Sequence, residues 1–420
     1  MLHRRSVKLL AILGYRSRPM RYITLIILFL ASLGLLVIQG RPSSTWSQDV
    51  YVWQQTWRPS LRAAVREASS LVDHWRVLAG VVDARGAFHV VTIDGQFLSA
   101  SQRPVVLVVR LDGQRPPAAS QQLALVVGLL RSWRELGISV MGVEIDHDCA
   151  TARLSDYGQF LRRLRMALPS DVRLSITALP SWMESNRLPE LLDLVEETVL
   201  QVHAVADPRQ GLMNPATALA WTHRFARYGR PFKVSIPTYG SSAVFSESGR
   251  LLAVESENRS ILPLANAREM MASPLAAEKL IRSLRSSGIA NLQGIVWFRL
   301  PTSDDSRSWS MDTMKVLLQE QKVRTGWQLH AEPEPQANLY RIAIVAAGNV
   351  DQLTPKSVFV GGNCTVGDGI AGYLFRPSGV DRHQFIRHIS GLLAPGQRLE
   401  IGWLRCTSPP HLYIEEQDHA

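Results

Sequence analysis

From about residue 50 onwards, short runs of β-branched and aromatic residues alternate with amphipathic stretches, which predicts alternating strands and helices. The predicted strands are VYVWQQTW (50–57), RVLAGVV (76–82), PVVLVVRLD (104–112), MGVEIDHD (141–148), DVRLSITAL (171–179), TVLQVHAV (198–205), PFKVSIPTY (231–239) and LQGIVWFRL (292–300). Helical spacing of apolar positions is clearest over 61–75, 120–136, 154–168, 216–228 and 275–287. Strand–helix units of this number and length predict an α/β fold, a closed (β/α)₈ TIM barrel over residues 48–321.

Side-chain alternation along the later strands separates an apolar face from a polar one. In the strand 141–148, Glu144, Asp146 and Asp148 share the polar face. On later strands the same reasoning places Gln201 and His203, then Tyr239, and finally Trp297 and Arg299 on polar faces. Barrel interiors are usually filled by branched aliphatic residues, so polar inner faces predict a functional site.

A change of pattern follows residue 321. The turn-rich segment 331–338 (AEPEPQAN) suggests a linker, and the short strand-like runs of 339–420 predict a small C-terminal β domain. Cys364 and Cys406 both lie in this domain and can form a disulfide if the fold brings them together. Cys149 is a lone thiol without an evident histidine partner, so it is not predicted to be a nucleophile.

The N-terminus carries six of the ten units of net positive charge. Lys and Arg outnumber Asp and Glu by 46 to 36, and six of the basic residues but no acid lie within residues 1–21. The uncharged stretch 22–40 would span roughly 28 Å as a helix, close to the thickness of a membrane. This pattern predicts a cytoplasmic tail and a single-pass transmembrane anchor in a bacterial inner membrane, with the body in the periplasm. A cleaved signal peptide that releases the body into the periplasm is the alternative.

The basic excess forms no stripe on the predicted folded domain, so a nucleic-acid partner is not predicted. No second histidine stands at ligand spacing and no phosphate loop occurs, so neither a metal nor another cofactor is predicted.

The candidate catalytic residues are Glu144, Asp146 and Asp148, at the strand end where barrel enzymes keep their catalytic groups. Carboxylates this close raise the proton affinity of at least one member, which gives the protonated acid that glycoside hydrolysis requires. A structural cluster paired to Arg110, Lys233 or Arg299 is the alternative. Residues predicted near the barrel mouth, where aromatic faces can stack on sugar rings, are the candidate substrate-binding set: Trp53, Trp57, Trp182, Gln201, His203, Tyr239, Trp297 and Arg299.

The strand 142–148 resembles the DGxDxDxE motif of family 18 glycoside hydrolases, the chitinase-like barrels. Gly142, Glu144, Asp146 and Asp148 stand at the positions of Gly, Asp, Asp and the acid Glu, and Trp297 corresponds to a barrel-floor Trp. The acid would be an Asp here, and a misplacement near 1 Å can cost about 10²-fold in rate.

Over about residues 50–406 the chain also resembles the bacterial domain of unknown function 3142 family. The segments that carry this resemblance are VYVWQQTW, EIDHD, LSITALPSWM, VLQVHAV, IPTYG and GWLRC. The resemblance implies a glycosidase-like barrel without a settled activity.

Two functions are therefore expected. The first is a membrane-tethered periplasmic glycoside hydrolase that acts on an amino-sugar-containing polysaccharide. Because the strand 231–239 has no inward carboxylate, the sugar's acetamido group would attack, with Asp148 as acid and base, Asp146 orienting that group and Glu144 tuning Asp146. The second is a non-catalytic glycan-binding or envelope-scaffold protein on a degenerate barrel. An inverting hydrolase with a loop acid also stays open, with Glu255, Glu257 and Asp304 as candidates.

Overall fold

The computed structural model describes residues 46–116, 120–203, 212–246, 248, 251–255, 267–378, 382–389 and 391–415. Eight parallel strands form its central sheet, and each overlaps a predicted one. They are β1 (Ser47–Val52), β2 (His74–Val82), β3 (Val105–Leu111), β4 (Val140–His147), β5 (Arg173–Ala178), β6 (Glu197–Gln201), β7 (Phe232–Pro237) and β8 (Leu292–Phe298). Each pairs with its neighbours in sequence, and β8 pairs with β1, which closes the sheet into the predicted barrel.

Closure depends on a glycine in β8. A Cβ atom at Gly294 would clash with the backbone carbonyl of Ser47, the partner of Gly294 in β1. A side chain here would push the two strands apart and disrupt the last pairing of the barrel.

Helices cover the outside of the barrel. They are α1 (Pro59–Ala68), α2 (Gly95–Ala100), α3 (Ser120–Glu135), α4 (Leu154–Ala167), α5 (Leu188–Leu192), α6 (Pro215–Ala226), α7 (Pro274–Ser287) and α8 (Met311–Leu318), with short 3₁₀ turns at Thr151–Arg153 and Pro180–Glu184. The first helix ends at Ala68 and not near residue 75 as predicted, because residues from His74 onwards pair with β1 as part of β2. The outward faces of the strands and the inner faces of the helices form the main hydrophobic core.

Two additions interrupt the repeating pattern. The strand Phe88–Val90 pairs antiparallel with the end of β2. Between β7 and α7, the strands Gly240–Phe245, Leu251–Glu255 and Ala267–Met271 form an antiparallel sheet with Gly240–Phe245 in the middle.

The C-terminal part is a β domain, as predicted. One four-stranded sheet contains Trp327–Pro333, Leu339–Ala346, Arg398–Cys406 and Cys364–Gly369, and the other contains Tyr373–Ser378, Arg382–Arg387, Ser357–Gly361 and His411–Tyr413. The pair Gln352–Leu353 and Leu392–Leu393 forms a separate short ladder. Buried side chains of both larger sheets form one hydrophobic cluster.

The segment 331–338 is not a linker. Its first residues belong to the strand Trp327–Pro333, which pairs with Leu339–Ala346, so the turn residues form a hairpin inside the β domain. The linker prediction was wrong because proline is tolerated at the end of a strand, and Pro333 is the last residue of the strand Trp327–Pro333. Cys364 and Cys406 face each other on paired strands and form a disulfide.

The β domain contacts the barrel at the start of α8. Asp351 accepts hydrogen bonds from the backbone and the hydroxyl of Ser310, the N-cap residue of α8, and its own backbone N–H donates to Thr313. The side chain of Val350 is buried in the barrel's core cluster. The two folded parts therefore share a buried polar contact and an apolar one.

Within the described ranges, the structure contains no helix long and apolar enough to cross a membrane. The predicted tail (1–21) and span (22–40) lie outside the described residues.

Candidate functional site

A network of buried charges occupies the barrel interior. Arg76 donates hydrogen bonds to Asp49, Glu144 and Glu197, and Lys233 pairs with Asp49 at 2.7 Å and with Glu197 at 3.2 Å. Burial alone would raise the pKa of Asp49, yet Arg76 and Lys233 hold that pKa well below its ordinary value. Two cations thus pair with three carboxylates inside the barrel, and we call these five side chains the floor network.

Glu144 belongs to the floor network and not to the surface of the site. It is fully buried, and besides Arg76 it accepts hydrogen bonds from the hydroxyls of Tyr51 at 2.6 Å and Ser175 at 3.3 Å. Burial raises the pKa of Glu144, although Arg76 opposes the shift. The predicted rise in proton affinity within the strand-four carboxylates therefore falls on Glu144, with burial as its largest cause.

Asp146 and Asp148, further along β4, share one guanidinium. Arg110 on β3 donates from Nη1 to Asp146 at 2.6 Å, from Nη2 to Asp148 at 2.7 Å, and from Nε to Asp112 at 3.2 Å. Although burial would lower it, these carboxylates raise the pKa of Arg110, so the guanidinium is charged. Of the three cations named for the structural alternative, Arg110 pairs with these two carboxylates, whereas Lys233 and Arg299 pair with other carboxylates.

The two carboxylates differ in exposure. Asp146 is buried and also accepts from Thr177 at 2.7 Å and Gln201 at 3.1 Å. The side chain of Asp148 is 46% exposed, and Arg110 is its only hydrogen-bond partner among the described residues. Asp146 is therefore fixed, while Asp148 can turn after losing a single ion pair.

These groups open into a cleft of about 560 Å³ at the C-terminal end of the strands. We call it the mouth cleft, and its position is that of active sites in this fold. The lining residues are Tyr51, Trp53, Gln55, Leu78, Val81, Arg110, Asp112, Asp146, Asp148, Thr177, Leu179, Gln201, His203, Ser235, Tyr239 and Phe298. It is an open, largely polar cleft with aromatic rings on one side.

Four of the predicted binding residues do meet here: Trp53, Gln201, His203 and Tyr239. The His203 ring stacks on Phe298 with centroids 5.6 Å apart, and its Nδ1 lies 3.4 Å from the carbonyl of Ser235. Burial lowers the pKa of His203, so the ring is neutral at pH 7. His203 therefore offers a neutral ring nitrogen to a ligand.

The other predicted binding residues do not line the mouth cleft. Trp57 is buried in the main core near Phe97, and Trp182 is fully buried with its indole N–H donating to the carbonyl of Cys149. Both follow the ends of their strands, where the alternation rule no longer applies.

The prediction of which face of β8 points into the barrel was wrong, and with it the placement of Trp297. Trp297 is fully buried on the helix side of the barrel and donates to Gln48 at 2.7 Å, whereas its neighbours Val296 and Phe298 point inward. The strand is inverted relative to the prediction because the large indole fits the space beneath the helices, where Trp309 packs against it. The side chain of Arg299 is nearly buried, pairs with Asp305 and lies beyond the mouth cleft.

Sequence reasoning missed several residues of the mouth cleft, above all Asp112 and Phe298. Asp112 directly follows β3, its side chain is 45% exposed, and it contacts Arg110. The alternation Val108, Arg110, Asp112 along PVVLVVRLD carries the signal, since it places both charged residues on the inward face.

A second cleft of about 480 Å³ adjoins the first and shares Trp53 and Gln55 with it. Asp304, one of the alternative acids, lies here, paired with Arg58 at 3.4 Å. Hydrogen bonds from Thr302 and Ser60 lower the pKa of Asp304, which makes it a poor proton donor. The structure describes no side chain for Glu255, and Glu257 lies outside the described residues.

In the part of the chain that the structure describes, no group of His, Cys, Asp and Glu side chains has the geometry of a metal site. Cys149 is buried, and burial raises the pKa of its thiol to about 12, so it is a thiol and not a thiolate at pH 7.

Family models match both folded parts. Residues 101–303, from just before β3 to just after β8, match the domain of unknown function DUF3142. This match spans 203 of the 420 residues, just under half of the chain. Residues 329–407 match another domain of unknown function, DUF8456, which corresponds to the β domain. The predicted resemblance to the DUF3142 family is confirmed, over a shorter span than residues 50–406.

Among solved structures, the chain is similar to a chitinase from Chromobacterium violaceum (14% identity, TM-score 0.44, covering 62% of this chain and 96% of that one). It is also similar to the spore cortex-lytic enzyme SleL from Bacillus megaterium (9% identity, TM-score 0.49, covering 66% and 73%). A third is the GH18 chitinase ChiB from Flavobacterium johnsoniae (12% identity, TM-score 0.44, covering 66% and 93%). A search of curated protein sequences finds no match. No residue role in the DUF3142 domain follows from similarities at this level.

Proposed function

We propose that the DUF3142 barrel hydrolyses a glycosidic bond of an amino-sugar-containing polysaccharide bound in the mouth cleft. The observation that carries this proposal is a pair of exposed carboxylates, Asp112 and Asp148, on either side of Arg110 in an open cleft lined by aromatic rings. An inverting glycoside hydrolysis uses two carboxyl groups that flank the bond. Aromatic rings such as Trp53 and Tyr239 suit the apolar faces of sugars.

In this proposal Asp148 is the general acid and Asp112 the general base. Asp112 takes a proton from a water molecule whose oxygen attacks the anomeric carbon, and Asp148 gives its proton to the departing glycosidic oxygen. In the free protein, Asp148 Oδ2 accepts a hydrogen bond from Arg110, so that oxygen carries no proton there. Asp148 therefore has to turn away from Arg110 when the glycan binds.

The proposed role of Asp146 differs from the one expected from sequence. Its oxygens already accept from Arg110, Thr177 and Gln201, which uses three of the about four acceptor positions of a carboxylate. Asp146 thus holds Arg110 in place instead of orienting an acetamido group. It is a positioning residue in this scheme.

The test is release of reducing ends from amino-sugar polysaccharides by the purified full chain. Asp148→Asn and Asp112→Asn should each lower turnover by about 10²–10⁴-fold, the usual contribution of acid–base catalysis. Asp171→Asn removes a surface carboxylate that is 66% exposed and should leave turnover unchanged. Activity that survives both cleft substitutions would show that the acid and base are assigned wrongly.

A non-catalytic glycan-binding protein is the second candidate, and the Arg110–Asp148 ion pair favours it. If that pair persists in the complex, Asp148 never donates a proton. Glycan retention should then survive Asp148→Asn and fail on Trp53→Ala, because Trp53 lines both clefts. No hydrolysis product should appear with the wild-type chain.

We further propose that residues 22–40 anchor the chain in the membrane and that its body lies in the periplasm. Six basic residues before an uncharged stretch support this orientation. The Cys364–Cys406 disulfide also supports it, because such bonds persist in oxidising compartments. N-terminal sequencing that finds a mature chain starting after about residue 40 would replace the anchor by a cleaved signal peptide.

A further inference from the structure

The mouth cleft has an excess of negative charge. Its lining contains three carboxylates, Asp112, Asp146 and Asp148, against one cation, Arg110. Burial raises the pKa of Tyr51 and lowers that of His203, so both of these lining groups are neutral at pH 7. Two negative charges in the cleft are therefore not balanced by its own cation.

The charged groups next to the mouth cleft do not neutralise its two excess negative charges. Below the cleft, Arg76 and Lys233 pair with the floor carboxylates. In the second cleft, Arg58 pairs with Asp304 and Arg299 with Asp305. A ligand in the mouth cleft thus meets three carboxylates, Asp112, Asp146 and Asp148, that share a single cation, Arg110.

A second observation shows that the cleft is built for a polar ligand. Ser235 lines it, is 1% exposed, and its hydroxyl has no hydrogen-bond partner within the described part of the chain. Buried hydroxyls are normally hydrogen-bonded, so this one is available to a ligand. Three aromatic rings also line the cleft: Tyr239 already has the Arg299 guanidinium 5.8 Å from its centroid and Phe298 stacks on His203, so Trp53 is the ring of these three best placed to attract a ligand cation.

Building on the proposed function, we propose that the sugar bound in the mouth cleft carries a free, protonated amine. The substrate class is then a de-N-acetylated amino-sugar polymer. In the initial complex the ammonium group of such a sugar would pair with the ionised carboxylates Asp112 and Asp148. Asp148 would take up a proton from solvent afterwards, when it turns towards the glycosidic oxygen. A neutral acetamido group at the same place would desolvate these carboxylates without providing a counter-charge, which disfavours N-acetylated chains.

Binding measurements test this without depending on turnover. Isothermal titration calorimetry on the full chain would compare glucosamine hexasaccharides, β-1,4- and β-1,6-linked, with the same chains fully N-acetylated. The free-amine chain should bind at least about 10-fold more tightly, the effect of two partly screened charge pairs. The preference should shrink in 0.5 M NaCl, since exposed charge pairs are screened by salt.

Matched variants locate the effect. Asp112→Asn and Asp148→Asn should each reduce the preference for the free amine by about 3- to 5-fold. Asp171→Asn makes the same change in net charge on the outer surface and should leave the preference intact.

Each other outcome overturns the inference in a recognisable way. Equal or tighter binding of the N-acetylated chain would refute the amine preference and leave the proposed hydrolase standing. A preference that both cleft variants retain would show that the amine binds elsewhere. Binding of none of the four hexasaccharides would refute both the inference and the proposed function.

Discussion

Arg76 is the residue on which the floor network depends, and its replacement gives the sharpest test of the interior. Arg76 is 1% exposed and contacts three carboxylates, two of which, Asp49 and Glu144, are fully buried. Arg76→Met keeps a side chain of similar length but removes the charge. Breaking a buried ion pair by removing one partner typically costs about 3–5 kcal/mol of unfolding free energy.

Lys233 limits the damage to one carboxylate. It keeps its contacts with Asp49 and Glu197, so Glu144 is left with the hydroxyls of Tyr51 and Ser175 and without a cation. We therefore expect the loss to fall within that range of about 3–5 kcal/mol, and not to multiply with the number of broken contacts.

The loss should depend on pH. Burial already raises the pKa of Glu144 in the folded state, and removal of Arg76 takes away the charge that opposes this rise. A carboxyl with a raised folded pKa binds more protons when folded, so its contribution to stability falls as pH rises through the interval between the unfolded and folded pKa. Arg76→Met should consequently destabilise the chain less at pH 5 than at pH 8.

Urea unfolding followed by tryptophan fluorescence measures the effect, with Arg134→Met as the control. Arg134 also pairs with one aspartate, Asp171, but both side chains are exposed, and such pairs contribute about 0–1 kcal/mol. Glu144→Gln in the Arg76→Met background should recover part of the loss. If Arg76→Met is no more destabilising than Arg134→Met, the floor network does not stabilise the barrel as described.

Two smaller effects should accompany this one. Tyr51→Phe removes the 2.6 Å hydrogen bond to buried Glu144 and should lower the free energy of unfolding in urea by about 1–3 kcal/mol. The control Tyr157→Phe removes a longer, 3.3 Å hydrogen bond and should cost less. Equal losses in the two variants would count against a special role for Tyr51. Reduction of the Cys364–Cys406 disulfide should destabilise the β domain by about 2–4 kcal/mol in thermal unfolding with and without reductant. An unchanged unfolding curve after complete reduction would contradict that expectation.

The barrel could be predicted from sequence because apolar side chains repeat with a different spacing in strands than in helices. All eight strands overlap their predicted ranges, with ends displaced by up to five residues, since most are apolar runs bounded by turn residues. The hairpin at 331–338 was missed because Pro and Glu in a short strand resemble a linker in composition. The strand is recognised only from its pairing with Leu339–Ala346, which is a contact of the folded chain and not a feature of local composition.

The site was predicted in outline but not in its pairings. Alternation placed Glu144, Asp146 and Asp148 on the inward face, which the structure shows. Alternation could not show that the Tyr51 hydroxyl covers Glu144, or that Arg110 on β3 reaches carboxylates at the end of β4. Both contacts depend on the register between neighbouring strands. The failure at Trp297 has a similar origin, since side-chain size and not polarity decided which way β8 faces.

The self-sufficient floor network has an evolutionary consequence. Arg76 and Lys233 pair with Asp49, Glu144 and Glu197 without help from Arg110, so these three carboxylates do not depend on the mouth cleft for their cations. The exposed residues Asp112 and Asp148 are thus free to change under selection without unfolding the protein, whereas Arg110 is the cation of buried Asp146. We expect related chains to retain the interior charges and to diverge at the exposed positions of the mouth cleft, so that one scaffold can acquire different ligand specificities by a few substitutions.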